Sequence, residues 1–98
     1  MTLQEQIQSD KPVLVDFFAE WCGPCKAMAP VLSDCKRQWG EQVTVLKVDV
    51  DKNAAAAGQF QISGVPTLIL FRQGKILWRK SGFASGQELS QILRPHLT

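Results

Sequence analysis

Residues 13–25 read Val13-Leu14-Val15-Asp16-Phe17-Phe18-Ala19-Glu20-Trp21-Cys22-Gly23-Pro24-Cys25. The apolar run from Val13 to Ala19 predicts a buried β-strand. Beyond it, Met28, Val31, Leu32, Cys35 and Trp39 recur at helical spacing, so a helix is expected from Pro24 to Trp39 with Gly40 as its stop. The two cysteines therefore stand where a strand hands over to a helix N-terminus. Two intervening residues put both sulfurs within one helical turn, close enough for a disulfide.

That position supplies chemistry. The first N–H groups of a helix lack intrahelical partners, and the macrodipole is positive there, so a thiolate at Cys22 is favoured over a thiol. Helix N-termini and similar settings bring a cysteine pKa from ~8.5 to roughly 3.5–7.5. Cys22 can then attack a disulfide at neutral pH. Cys25, one turn further in and expected to be more shielded, resolves the mixed disulfide. Pro24 suits a first turn, where no N–H is needed. The competing reading is half of a zinc site. Zinc takes four ligands, and the chain offers only Cys22, Cys25, Cys35 and His96. Cys35 lies roughly 15 Å along the same helix and His96 at the far end of the chain, so no metal is expected.

Ninety-eight residues, 45% of them hydrophobic and 20% charged, suit one globular domain spanning 1–98. A net charge of +2 gives no strong attraction to nucleic acid or membrane. Three cysteines are too few for a disulfide scaffold but match one redox pair plus a spare thiol. No run reaches transmembrane length. The opening residues lack the basic start and apolar stretch of a signal peptide, which points to the cytoplasm.

Thr2-x-x-Glu5 forms a capping box, so a short helix is expected, ending near Ser9-Asp10. Val43 to Asp49 reads as a second strand, broken by Lys47 as Asp16 breaks the first. Adjacent parallel strands would bring these opposite charges close; alternatively Lys47 simply reaches out to solvent. Asn53 is a candidate cap for a helix through Ala54-Ala57. Leu68 to Phe71 is a third strand. Arg72-Gln73-Gly74-Lys75 is a hairpin turn into a strand opening at Ile76-Leu77-Trp78. Ser85-x-x-Glu88 is a second capping box, starting a helix with Leu89, Ile92, Leu93 and Leu97 on one face. Cys35 falls on an apolar helical face and reads as a core residue, and His96 as an exposed terminal one. A lone buried carboxylate at Asp16 is costly and should titrate high.

Val15-Asp16-Phe17 followed by Ala19-Glu20-Trp21-Cys22-Gly23-Pro24-Cys25-Lys26 resembles the active-site segment of the thioredoxin family, itself the reference example of this redox motif. With the downstream matches the resemblance covers about nine-tenths of the chain. It implies an α/β thioredoxin fold, with a central mixed four- to five-stranded sheet and helices on both faces. Asp16 would match the family's buried aspartate, which helps take the proton from the resolving cysteine, and Lys47 the lysine that modulates it. Pro66 on sequence alone would be trans, since cis accounts for only roughly 5–6% of X–Pro bonds. Gly64-Val65-Pro66-Thr67 is, however, similar to the family's cis-proline loop, where the Val65 backbone adds a strand-like contact to an extended substrate and Gly64 permits close approach. Gly82 would line the same groove. Trp21, Gly23, Pro24, Gly64, Val65, Pro66 and Gly82 together would make the docking surface for protein disulfide substrates. The resemblance further implies an NADPH-dependent thioredoxin reductase as electron donor and no bound cofactor beyond the Cys22–Cys25 redox disulfide.

The chain departs from the family's pattern in places. Its first ten residues are used by the helix where relatives have a strand. Residues 43–49 would then form a sheet edge, so the expected monomer has an edge-strand dimer as its alternative. Phe18 stands where many relatives carry a second tryptophan, and Ser81 and Phe83 flank Gly82 where smaller or apolar groups are usual. The expected function is reduction of protein disulfides. The alternatives are a thiol oxidase or isomerase of the same fold, or a non-catalytic binding module.

Overall fold

Successive side chains of a strand point to opposite faces, so the two near-continuous apolar runs Val13–Phe18 and Thr67–Phe71 feed both faces of one sheet. A computed structural model describes residues 1–97. The elements are α1 (Leu3–Gln6), β1 (Val13–Phe18), α2 (Gly23–Trp39), a 3-10 turn (Gly40–Gln42), β2 (Thr44–Asp49), α3 (Ala54–Gln59), β3 (Thr67–Arg72), β4 (Lys75–Ser81), α4 (Gly86–Leu93) and a 3-10 turn (Arg94–His96). The four strands form one sheet in the order β2-β1-β3-β4. β1 runs parallel to β2 and antiparallel to β3, and β3 and β4 form an antiparallel hairpin. Among the described residues this is the α/β architecture expected from the resemblance, with four strands of the expected four to five.

β1 is central, and its first five residues are fully buried. Leu14 packs with Met28, Leu32, Cys35, Leu68, Leu70, Leu89 and Leu93, which fills the layer under α2 and α4. Val13, Val15 and Phe17 point the other way, into a cluster with Ile7, Ile69, Phe71 and Phe60 beneath α1 and α3. Asp16 belongs to the Leu14 set, so β1 delivers its carboxylate to the α2 side of the sheet. Cys35 is buried there as a core residue, and burial pushes its thiol pKa up.

Local chemistry explains most element ends. The Thr2/Glu5 capping box is fully formed, yet α1 stops at Gln6, earlier than the sequence suggested. Its exit is tied down instead by Ile7 and Ser9, whose carbonyls accept from the Gly74 and Gln73 amides of the hairpin turn. In that turn Gln73 and Gly74 have φ of 52° and 78°, the paired left-handed geometry that closes a two-residue hairpin. α2 begins with Cys22 as its N-cap, carries Pro24 in its first turn, continues through Pro30, and ends at Gly40 with φ 56°.

Two expected caps are formed differently. Asn53 precedes α3 but makes no side-chain cap; its side-chain Nδ2 donates instead to the Asp49 carbonyl. Ser85 does cap α4 by accepting from the Glu88 amide, but the Glu88 carboxylate turns to Lys80 rather than back to Ser85. His96 is half-buried rather than exposed. Among the described residues no strand pairs with the outer edge of β2, which carries the exposed Lys47.

Candidate active site

Ala19 and Cys22 form the turn that ends β1, with the Cys22 amide donating to the Ala19 carbonyl at 3.2 Å. Cys22 keeps an extended backbone and its Sγ accepts from the Cys25 amide at 3.1 Å, so the sulfur itself takes one of the orphan donors of α2. A thiolate at that position would receive a charge-assisted hydrogen bond and the positive end of the helix dipole. Cys22 and Cys25 are joined as a disulfide, with their Cα atoms 5.3 Å apart. The expectation that Cys25 is the more shielded of the two does not hold in this oxidised state, where Cys22 is 4% and Cys25 5% exposed. Ala19, Phe18, Val50 and Val65 pack around the pair.

Asp16 and Lys47 are partners in the register of β1 and β2. The Asp16 side chain is fully buried, and neither carboxylate oxygen has a hydrogen-bond partner. Burial pushes its pKa up to about 6, against the smaller opposing pull of the Lys47 ammonium. Lys47 makes no ion pair or hydrogen bond with Asp16 among the described residues. It is exposed as a residue, and its ammonium sits 4.7 Å from the centre of the Phe18 ring. Phe18, Ala19, Glu20, Cys25, Lys26, Ala29 and Lys47 line a groove of about 190 Å³ beside the dithiol.

The Val65–Pro66 peptide bond is cis. The loop that carries it is cross-braced. The Gly82 amide donates to the Pro66 carbonyl at 2.7 Å, and the Thr67 hydroxyl donates to the Gly64 carbonyl at 2.7 Å. Gly82 has φ 105°, a conformation that favours glycine, so the brace at the start of the 82–85 loop depends on its identity. Gly23 and Gly64 lack such a requirement, and a side-chain carbon at either would meet nothing within 4 Å. Their smallness leaves open space on the outside of the molecule rather than meeting an internal demand.

Trp21 is 72% exposed next to these residues, and its indole N–H donates to the Asp51 carboxylate at 2.9 Å. Trp21, Val50, Ile62, Ser63, Gly64 and Val65 line a shallow groove of about 140 Å³. The structure thus brings Trp21, Val65 and Gly64 to one groove adjoining the disulfide, with Pro66 and Gly82 hydrogen-bonded behind it. Asp51 was missed by sequence reasoning. It lies thirty positions from Trp21 in a turn, and only tertiary packing joins them. Among the described residues no group of three or more His, Cys, Asp or Glu side chains is placed to hold a metal ion.

Comparison with known proteins bears on this geometry. The family model described as Thioredoxin matches residues 1–95. A protein named Thioredoxin from Alicyclobacillus acidocaldarius subsp. acidocaldarius is 48% identical over 90 residues, covering 92% of this chain and 86% of the relative. A Thioredoxin from Bacillus subtilis (strain 168) is 37% identical over 89 residues, covering 91% and 86%. A solved structure described as that of a malarial protein superposes with a TM-score of 0.84 at 32% identity, covering 90% of this chain and 99% of the other.

Proposed function

The chain belongs to the thioredoxin family and is a thiol-disulfide oxidoreductase working through Cys22 and Cys25; from that premise we propose that it runs as a reductase of disulfides in other proteins. One observation carries the reading: Cys22 caps α2 with Cys25 in its first turn, and Val65, packed against the pair, lines an open, partly apolar groove rather than a closed pocket. A macromolecular disulfide can reach such a site.

In the proposed cycle the Cys22 thiolate attacks one sulfur of the substrate disulfide. A Cys22–substrate mixed disulfide forms and the other substrate sulfur leaves as thiolate. Cys25 gives up its proton, attacks Cys22, and releases the second substrate thiol. The protein ends as the Cys22–Cys25 disulfide, two electrons poorer, and the substrate two electrons richer. No bound cofactor takes part, because the sulfurs themselves carry the electrons. We assign the proton from Cys25 to Asp16. What supports this is the burial of Asp16, its two unpartnered oxygens, its pKa of about 6, and its place on the strand feeding Cys22. Lys47 tunes Asp16 from the adjacent strand. Trp21, Gly23, Pro24, Gly64, Val65, Pro66 and Gly82 form the docking surface. An extended substrate segment would use the Val65 backbone as a strand would.

An NADPH-dependent thioredoxin reductase would restore the dithiol, and the cytoplasm, where thiols are kept reduced, is the compartment in which such a cycle runs. The working species is a monomer; Lys47 on the outer strand discourages edge pairing. The equilibrium potential of Cys22–Cys25 in defined thiol buffers, read by thiol trapping, tests the direction of the chemistry. A strongly reducing value supports the reductase. A markedly oxidising one moves the protein to disulfide formation or isomerisation.

A further inference from the structure

Helix α3 is the weakest-built element near the site. It has six residues, includes Gly58, lacks a side-chain N-cap and buries no residue fully. A helix this short has little stability of its own. Yet it leads straight into residues 61–66, the segment that supplies Ile62, Ser63, Gly64 and Val65 to the groove beside the dithiol. Something outside the segment has to hold its start.

Arg79 does so from β4. Its guanidinium donates through Nη1 to the Phe60 carbonyl and through Nη2 to the Gln61 carbonyl, the latter at 2.9 Å. These are the carbonyls just past the end of α3, where intrahelical partners run out. Gln61 has φ 53°, so the chain reverses there in a conformation a non-glycine residue seldom adopts. The Phe60 ring is held separately, against Phe17 and Phe71. Gln61 has no such anchor. Its amide bonds locally to Gly58, and its carbonyl goes to Arg79. At the other end of the segment, Thr67 holds the Gly64 carbonyl. Between these two clamps run Ile62 and Ser63; the Ile62 amide donates to the Ala57 carbonyl of the short helix, and its side chain packs, half-buried, against the cluster beneath α3.

We infer that Arg79 is a positioning residue for the docking edge: by clamping two consecutive carbonyls it fixes the segment that presents Gly64 and Val65 to an extended substrate. The inference rests on the protein-disulfide reading above. A planar guanidinium can serve two adjacent carbonyls at once, whereas a lysine ammonium is a single mobile point of charge. Arg79 acts on the dithiol chemistry only through this segment. Its loss should therefore weaken recognition of a protein and spare attack on a disulfide too small to use the edge.

The test compares wild type, Arg79→Ala and Arg79→Lys with dithiothreitol as electron source. One substrate is insulin; the other is hydroxyethyl disulfide. For Arg79→Ala, kcat/KM on insulin is expected to fall about tenfold, mainly through KM, because only part of the loss of two charge-assisted hydrogen bonds is passed on to the segment that meets substrate. The small disulfide should change by less than about twofold, and Arg79→Lys should fall in between. Amide hydrogen exchange across residues 61–65 should speed up in Arg79→Ala. Equal losses on both substrates, an unchanged insulin KM, or unchanged exchange in 61–65 would each overturn the proposal. A wild type inert towards insulin but active on hydroxyethyl disulfide would instead overturn the reading on which it rests, and no variant is needed to see that.

Discussion

Asp16→Asn should make the oxidised protein more stable in neutral and alkaline solution and leave it unchanged in acid. Asn has nearly the shape of a protonated aspartic acid but cannot ionise. In the folded state the Asp16 carboxyl titrates at about 6, against 3.8 for the free group. Below the lower value both states hold the proton and the two proteins match. As pH rises through the window, the unfolded chain releases its proton first, and the folded wild type loses stability progressively. Above the upper value the penalty is constant. A gap of just over two units at 1.36 kcal/mol each is roughly 3 kcal/mol, about half of it in place by pH 5. Guanidinium unfolding of both proteins across this range reads it directly, with a midpoint gap near 1 M at high pH. Working in the oxidised form keeps the site thiols from titrating. A pH-independent difference, or a variant destabilised at high pH, would mean that Asp16 is ionised at little cost and that its burial has been misjudged. The same variant should also slow resolution of the mixed disulfide near neutral pH.

Two further substitutions probe separate parts of the structure. Lys47→Met removes the one named influence that lowers the Asp16 pKa, so the folded-state pKa of Asp16 should move above about 6 and the stability gap at high pH should widen; carboxyl carbon NMR of Asp16 would follow it, and an unmoved titration would show that Lys47 does not act on Asp16. Gly74→Ala forces a side chain onto a φ of 78°, and should cost ~1 kcal/mol by thermal unfolding while leaving the redox potential unchanged. Crowding with the Gln8 side chain adds little, since that flexible end can move.

Much of this was legible in the sequence, and for specific reasons. The run Val13–Phe18 announces a strand buried on both faces. Met28, Leu32 and Cys35 mark the inner side of α2, and the Thr2/Glu5 box and Gly40 mark helix ends, because all of these signals are local. The cis geometry at Pro66 was legible only through family resemblance, since the dipeptide itself favours trans. The missed features share a cause. Asn53 and Glu88 each had an expected capping partner and took another: the Asn53 side chain turned back four residues to the Asp49 carbonyl, and Glu88 reached the Lys80 ammonium on β4. Trp21–Asp51 and Arg79–Gln61 join positions whose separation carries no period. Side chains that can reach several partners are settled by packing, which no local pattern records.

The placement of β1 between β2 and β3 has a consequence for the growing chain. Synthesis completes β1, α2 and β2 before β3 exists, and this part alone carries both cysteines. Parallel pairing of β1 with β2 needs only the crossover through α2. The opposite edge of β1 must wait for Thr67–Arg72, across a much longer loop whose closure costs more entropy. In that interval the emerging polypeptide carries its dithiol without the loop that holds Pro66, with the Val13–Phe17 edge open to other chains. Such a species is reactive but undiscriminating and prone to aggregate. The surface around the sulfurs is completed late in biogenesis, when the C-terminal hairpin closes the sheet and the loop before it comes up to sulfurs that were already there.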